Sequence, residues 1–176
     1  MRSPMRAAII WTCLGLMLPL AAGAREQAPP KVYQTPPGLG SYPYTDADIE
    51  FMSGMIPHHA QAVIMAGWAP THGARSDVAV LCERILVGQA DEIESMQMWL
   101  RDRGQPVPDA KSTRMQMKMN GTEHDMLMPG MLSDEQMAEL DKARGAQFDL
   151  LFLLGMIKHH QGAVDMVNGL DRKSTR

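Results

Sequence analysis

The sequence predicts an all-α protein of the four-helix-bundle type, built by internal duplication and short of its last helix. Three observations lead there. Met-Ile-Pro-His-His at residues 55–59 returns as Met-Ile-Lys-His-His at 156–160. Val80, Ile85, Gln89, Ile93, Met96 and Leu100 recur at roughly helical spacing. Capping residues and Gly or Pro breakers fall at the ends of these blocks.

The first 24 residues are read apart from the fold. Arg2 and Arg6 precede an apolar run, Ala7 to Leu20, which ends at Ala22-Gly23-Ala24. A basic start, a short apolar run and a small-residue cleavage site make a secretory signal peptide. The run is too short for a membrane span, so the protein is expected to be exported, periplasmic or extracellular, with no membrane attachment after cleavage. Removing Arg2 and Arg6 takes the formal charge from −3 to −5. A mildly acidic chain has no electrostatic footprint for nucleic acid. Cys13 leaves with the signal, so Cys82 has no partner for an internal disulfide.

Residues 25–44 are rich in Pro and Gly and read as a flexible leader. Thr45 is a good N-cap, and Asp46 and Asp48 suit the positive end of a helix running to about Trp68. Pro57 lies inside that helix and should bend it beside the histidines. A second helix runs from Ser76 to Gly104. From Gln105 to Leu132 the chain is polar and reads as a long loop. Ser133 to Gln136 is a capping box that opens a short helix ending at Gly145. A last helix runs from about Ala146 to Asn168, and residues 171–176 form a polar tail. The bundle domain is thus expected over 45–170.

At an offset of 101 residues, Asp48, Phe51, Gly54, Met55, Ile56, His58, His59, Ala62, Val63 and Met65 all repeat. Shared apolar positions would follow from any two amphipathic helices. Shared histidine pairs and a shared glycine do not. The first copy is a helix pair, and the second lacks a counterpart of residues 76–103. A truncated chain, or a homodimer that completes the bundle, would account for this.

Residues three or four apart share a helix face. Met55, His58, His59 and Met65 therefore form one stripe, and Met156, His159, His160 and Met166 form its copy. Such a stripe is either packing, with histidines bonded to backbone or to a carboxylate such as Glu92, or a duplicated metal site. The segment 115–131 adds Met115, Met117, Met119, Met126 and Met128 around His124. Met-x-Met-x-Met has no helical period and is set among polar residues. Thioether is a soft, neutral ligand suited to Cu(I), and zinc favours Cys, His and carboxylate. No Glu-x-x-His spacing of di-iron bundles occurs, and no phosphate loop or nucleophile elbow is present.

The blocks Phe51 to Met65 and Phe152 to Met166 resemble the duplicated Phe-x-x-x-Met-Ile-x-His-His-x-x-Ala-x-x-Met signature of domain of unknown function 305, across roughly residues 46–170. The resemblance implies a ferritin-like four-helix bundle, an exported protein and a role in copper handling. It carries over to Met55, His58, His59, Met65, Met156, His159, His160 and Met166 as candidate ligands. The sequence thus leads to a non-catalytic protein binding copper, with Cu(I) favoured, for sequestration or for exchange with a donor or acceptor protein. The alternatives are a helical interaction module with structural histidine pairs and, behind it, a metal-dependent redox enzyme.

Overall fold

Thr45 closes a capping box at the start of the first helix. Its hydroxyl accepts from the Asp48 amide, and the Asp48 carboxylate accepts from the Thr45 amide at 2.8 Å. Helix α1 then runs Asp46–Gly67 and continues through Pro57. A one-turn helix, α2 (Ala69–His72), ends at Gly73, whose φ of +68° takes the left-handed turn. Helix α3 spans Ser76–Asp102, α4 spans Asp134–Lys142 behind the Ser133–Gln136 capping box, and α5 spans Ala146–Lys173. The computed structural model describes residues 31–35, 38, 42–119 and 121–173, without the side chains of Lys118 and Met119. The predicted signal peptide lies outside the described residues.

Three expectations change. Helix α5 passes Asn168 and reaches Lys173, because Gly169 is tolerated inside a helix whose last turn carries Arg172 and Lys173 against its negative end. The leader is not free of the bundle: β1 (Val32–Tyr33) pairs antiparallel with β2 (Tyr44–Thr45), and Tyr44 is buried. The Tyr33 and Tyr44 rings stack at 5.2 Å, and the Tyr33 hydroxyl donates to Asp46 at 2.7 Å. Most important, the segment 105–132 is not simply a loop. Met115–Met119 (β3) and Thr122–Met126 (β4) form an antiparallel hairpin.

Helix α1 is central, packed along α3 on one side and against α5 on the other. One core cluster joins Met65 and Ala66 of α1, Val78 and Cys82 of α3, Leu140 of α4, and Phe148, Phe152 and Met156 of α5. The other joins Met55, Ile56 and Ala60 of α1 to Ile93, Met96 and Leu100 of α3. Cys82 is buried, and that burial pushes its thiol up to about 11, so it is an inert core residue.

The duplication explains two contacts and exposes one face. Position 61 and its counterpart 162 both meet the segment 129–132. The Gln61 amide grips Leu132, donating to its carbonyl at 3.0 Å and accepting from its amide at 2.7 Å. Gly162 lets the same segment pass on the other side: a Cβ there would sit 2.0 Å from the Pro129 carbonyl oxygen. The uncovered face belongs to α5. Ile56 is 0% exposed beneath α3, whereas its counterpart Ile157 is 68% exposed, in a stripe with Leu150, Leu154 and Val164.

Gly162→Ala should therefore cost about 1–3 kcal/mol, the usual penalty of overpacking. Gly169→Ala, with nothing within 4 Å of its added Cβ, should gain about 0.5–1 kcal/mol from helix propensity alone. Urea unfolding of the two variants measures the contrast.

Candidate metal centre

The repeated histidines meet. His58 of α1 and His159 of α5 hold equivalent positions in the two copies, and their rings stand 3.7 Å apart at 35°. The His159 Nε2–H donates to the His58 carbonyl at 2.9 Å. Both side chains are buried, at 1% and 0% exposure. His59 lies beside them and is tied to α3 through its Nε2, 2.7 Å from the Glu92 carboxylate. Its counterpart His160 is exposed, its ring 6.2 Å from that of His159.

Hydrogen bonds decide what these rings can offer. An Nε2–H that donates to a carbonyl or carboxylate fixes the tautomer with its lone pair on Nδ1. His159 and His59 are both held this way, and the Nδ1 of each is buried without a partner among the described residues. Neither nitrogen of His58 is paired among the described residues. The Pro129 and His159 carbonyls lie near it without reaching hydrogen-bond geometry. A buried polar atom left unpaired costs about 1–3 kcal/mol. Four such nitrogens gathered at one contact are a costly arrangement for a purely structural pair.

Burial also keeps the cluster neutral. It pushes His58 down to about 4, with the neighbouring His59 adding to the effect. His159 falls to about 3, again through burial first and His58 second. His59 is lowered by burial, against the pull of Glu92. An imidazole must be unprotonated to bind a metal, and His58 and His159 are unprotonated well below neutrality.

The methionines of the stripe are divided. Met65 and Met156 lie in the core cluster around Phe148 and Phe152, and the Met65 Cε covers Gly155. Met55 is buried with Ile56 and Ile93, and Met166 packs on that second cluster. Met115 and Met128 lean on Gly54 of α1, one turn before His58. Met117 is half-buried, and His124 and Met126 are exposed on the hairpin. Met119 is a strand residue whose side chain lies outside the described residues. Among the described residues, no group of three or more His, Cys, Asp or Glu side chains is arranged to hold a metal ion. A site here must recruit thioethers or use few ligands.

Sequence reasoning missed two supports. Asp149, the counterpart of Asp48, does not cap its own helix. It reaches across to accept from the Arg75 amide at 3.1 Å, at the start of α3. Gln61 was invisible as a clamp, although a polar residue inside the apolar stripe, replaced by Gly in the second copy, was the available signal.

The family follows from this duplicated, histidine-centred bundle. Residues 48–176 match the family described as Domain of unknown function (DUF305). The chain belongs to the DUF305 family. A solved DUF305 protein from Streptomyces coelicolor, described as secreted, is 30% identical, with 74% of each chain covered and a TM-score of 0.59. A DUF305 fragment from Deinococcus radiodurans is 26% identical, with 72% of this chain and 82% of that one covered and a TM-score of 0.56. CopM in its Cu(II)-bound form is 28% identical, with 73% and 78% covered and a TM-score of 0.54. No curated protein matches the chain. These likenesses agree with the all-α, ferritin-like bundle expected from the sequence. No helix among the described residues is long and apolar enough to cross a membrane.

The neutral cluster fixes a sign. His58 and His159 titrate below their unfolded value near 6.5, so between that value and about 4 the unfolded chain binds more protons. Stability of the metal-free protein should be full above pH 6.5 and fall as pH drops towards 4. Urea midpoints across this range should show the loss, and His58→Gln should flatten it.

Proposed function

We propose that this protein binds copper outside the cytoplasm, most readily as Cu(I), and serves sequestration or delivery instead of turnover. The observation that carries the reading is the cluster of unpaired, unprotonated imidazole nitrogens where the two repeats meet. His58, His59 and His159 would supply lone pairs, and His160 stands at the exposed edge. Thioether and imidazole donors without thiolate suit Cu(I) better than zinc. A low-coordinate Cu(I) does not require three converging hard ligands. The similarity to CopM, solved with Cu(II), and to a DUF305 protein described as secreted supports both copper and export.

Glu92 should act as the orienting partner of His59. Loss of such a partner typically weakens metal binding about 10–100-fold. Anaerobic Cu(I) titration against a chromophoric chelator should show tight binding by the wild type. Glu92→Gln should reduce affinity by about that factor at an unchanged thermal midpoint. A wild type that fails to compete for Cu(I) would refute the reading.

A second reading is a helical interaction module with structural histidine pairs. It is favoured by the uncovered apolar stripe of α5. It expects no stoichiometric metal in the same titration.

A further inference from the structure

The β3–β4 hairpin sorts its residues by chemistry. Directly opposed residues of an antiparallel pair project from the same face, and alternate pairs project from opposite faces. The register sets Met115 against Met126, Met117 against His124, and Met119 against Thr122. The first two pairs share one face. Gln116 and Asp125, opposed to each other, and Glu123 take the other. One side of the hairpin therefore carries sulfur and imidazole, and the other carries amide and charge.

Packing accounts for only part of the sulfur face. Met115 rests on Gly54 of α1, and Met117 is half-buried. The β4 half is exposed at every position, with Met126 at 39%. A thioether there buries little and risks oxidation outside the cell. Leucine or valine would give the same half-buried strand without that risk. Directly opposed residues have Cβ atoms about 4.5–5.5 Å apart, and diagonal neighbours about 7–8 Å apart. Three flexible methionine side chains and one imidazole can thus reach a common point above the face. Both carboxylates of the hairpin, Glu123 and Asp125, stand on the opposite side, so a hard cation finds no oxygen ligand among these donors.

We infer that the sulfur face of the hairpin is a surface Cu(I) site formed by Met115, Met117, His124 and Met126. The soft donor set selects Cu(I) over Zn or Mg. The site is independent of the buried histidines and stands or falls without them. Met128, which packs beside Met115 on Gly54, closes the base of the face against the bundle.

The test is an anaerobic Cu(I) titration of three full-length variants beside the wild type. Met117→Leu/His124→Leu/Met126→Leu removes the face. Glu123→Gln/Asp125→Asn alters the other side. His58→Gln/His159→Gln removes the buried pair. The face variant should bind one Cu(I) fewer than the wild type at unchanged helicity, and the opposite-side variant should bind as the wild type does. The buried-pair variant should keep the hairpin ion. Equal stoichiometry in the wild type and a folded face variant overturns the site. If the face variant loses all copper and the buried-pair variant loses none, the hairpin site stands and the histidine reading fails. Independently of folding in any variant, Ag(I) added to wild type labelled at the methionine methyls should shift the 115, 117 and 126 resonances together. Resonances that stay in place overturn the proposal.

Discussion

The structure turns on the close approach of α1 and α5 at His58 and His159. The rings stand 3.7 Å apart, and one donates to the other's backbone carbonyl. Helices can come this near only where the surrounding residues leave room. Gly155 admits the Met65 methyl and Leu132, and Gly162 admits the Pro129–Gly130 backbone. The segment 129–132 fills the remaining gap and is locked by the Gln61 amide. A buried carboxamide that bonds both a backbone amide and a carbonyl is partnered at both its oxygen and its nitrogen, which offsets the usual penalty of burying it. The connection between the hairpin and α4 is therefore a structural part of the helix contact.

That contact also explains why the histidines are chemically unusual. Excluding water disfavours the imidazolium and pushes His58 and His159 far below their ordinary value. The same exclusion strands their nitrogens. A structural pair would be expected to use both nitrogens of each ring, as His72 does: its Nε2 meets the Asp141 carbonyl at 2.8 Å and its Nδ1 meets the Thr71 hydroxyl at 2.9 Å. His72 and His58 are almost equally buried. One is saturated and the other meets no partner at hydrogen-bond geometry among the described residues, and that difference separates a packing histidine from a candidate ligand.

Much of the fold was legible in the sequence, because it rests on local signals. Thr45, Ser133 and Gly73 marked helix ends through hydrogen bonds and φ values that depend on a few neighbours. The 101-residue repeat was visible because histidine pairs seldom recur by chance on two helices. The hairpin is legible too, in the turn and in the alternation beside it. Asn120-Gly121 between two alternating runs is a two-residue hairpin signal, and Met-x-Met-x-Met has the period of a strand. The site was less legible. Spacing placed the four histidines on two stripes. Only tertiary contact decides that His59 finds Glu92 while His160 faces solvent. Likewise, Asp48 and Asp149 are equal by sequence, yet one caps its own helix and the other reaches Arg75.

These unequal fates argue that the repeats have diverged in role. In the first copy α3 covers the stripe, buries Ile56 and supplies a carboxylate to His59. In the second no described helix covers the equivalent face, and Ile157 and His160 are exposed. Two equivalent sites related by the repeat would need the same carboxylate partner at each histidine pair. The structure supplies one, at His59. The helix contact is thus asymmetric, with one covered side at His59 and one open side at His160. The open side carries His160, and the hairpin base meets α1 one turn before His58 through Met115 and Met128. Imidazole and thioether groups thus flank the buried pair, and the asymmetry gives the helix contact a direction that a symmetric duplication would lack.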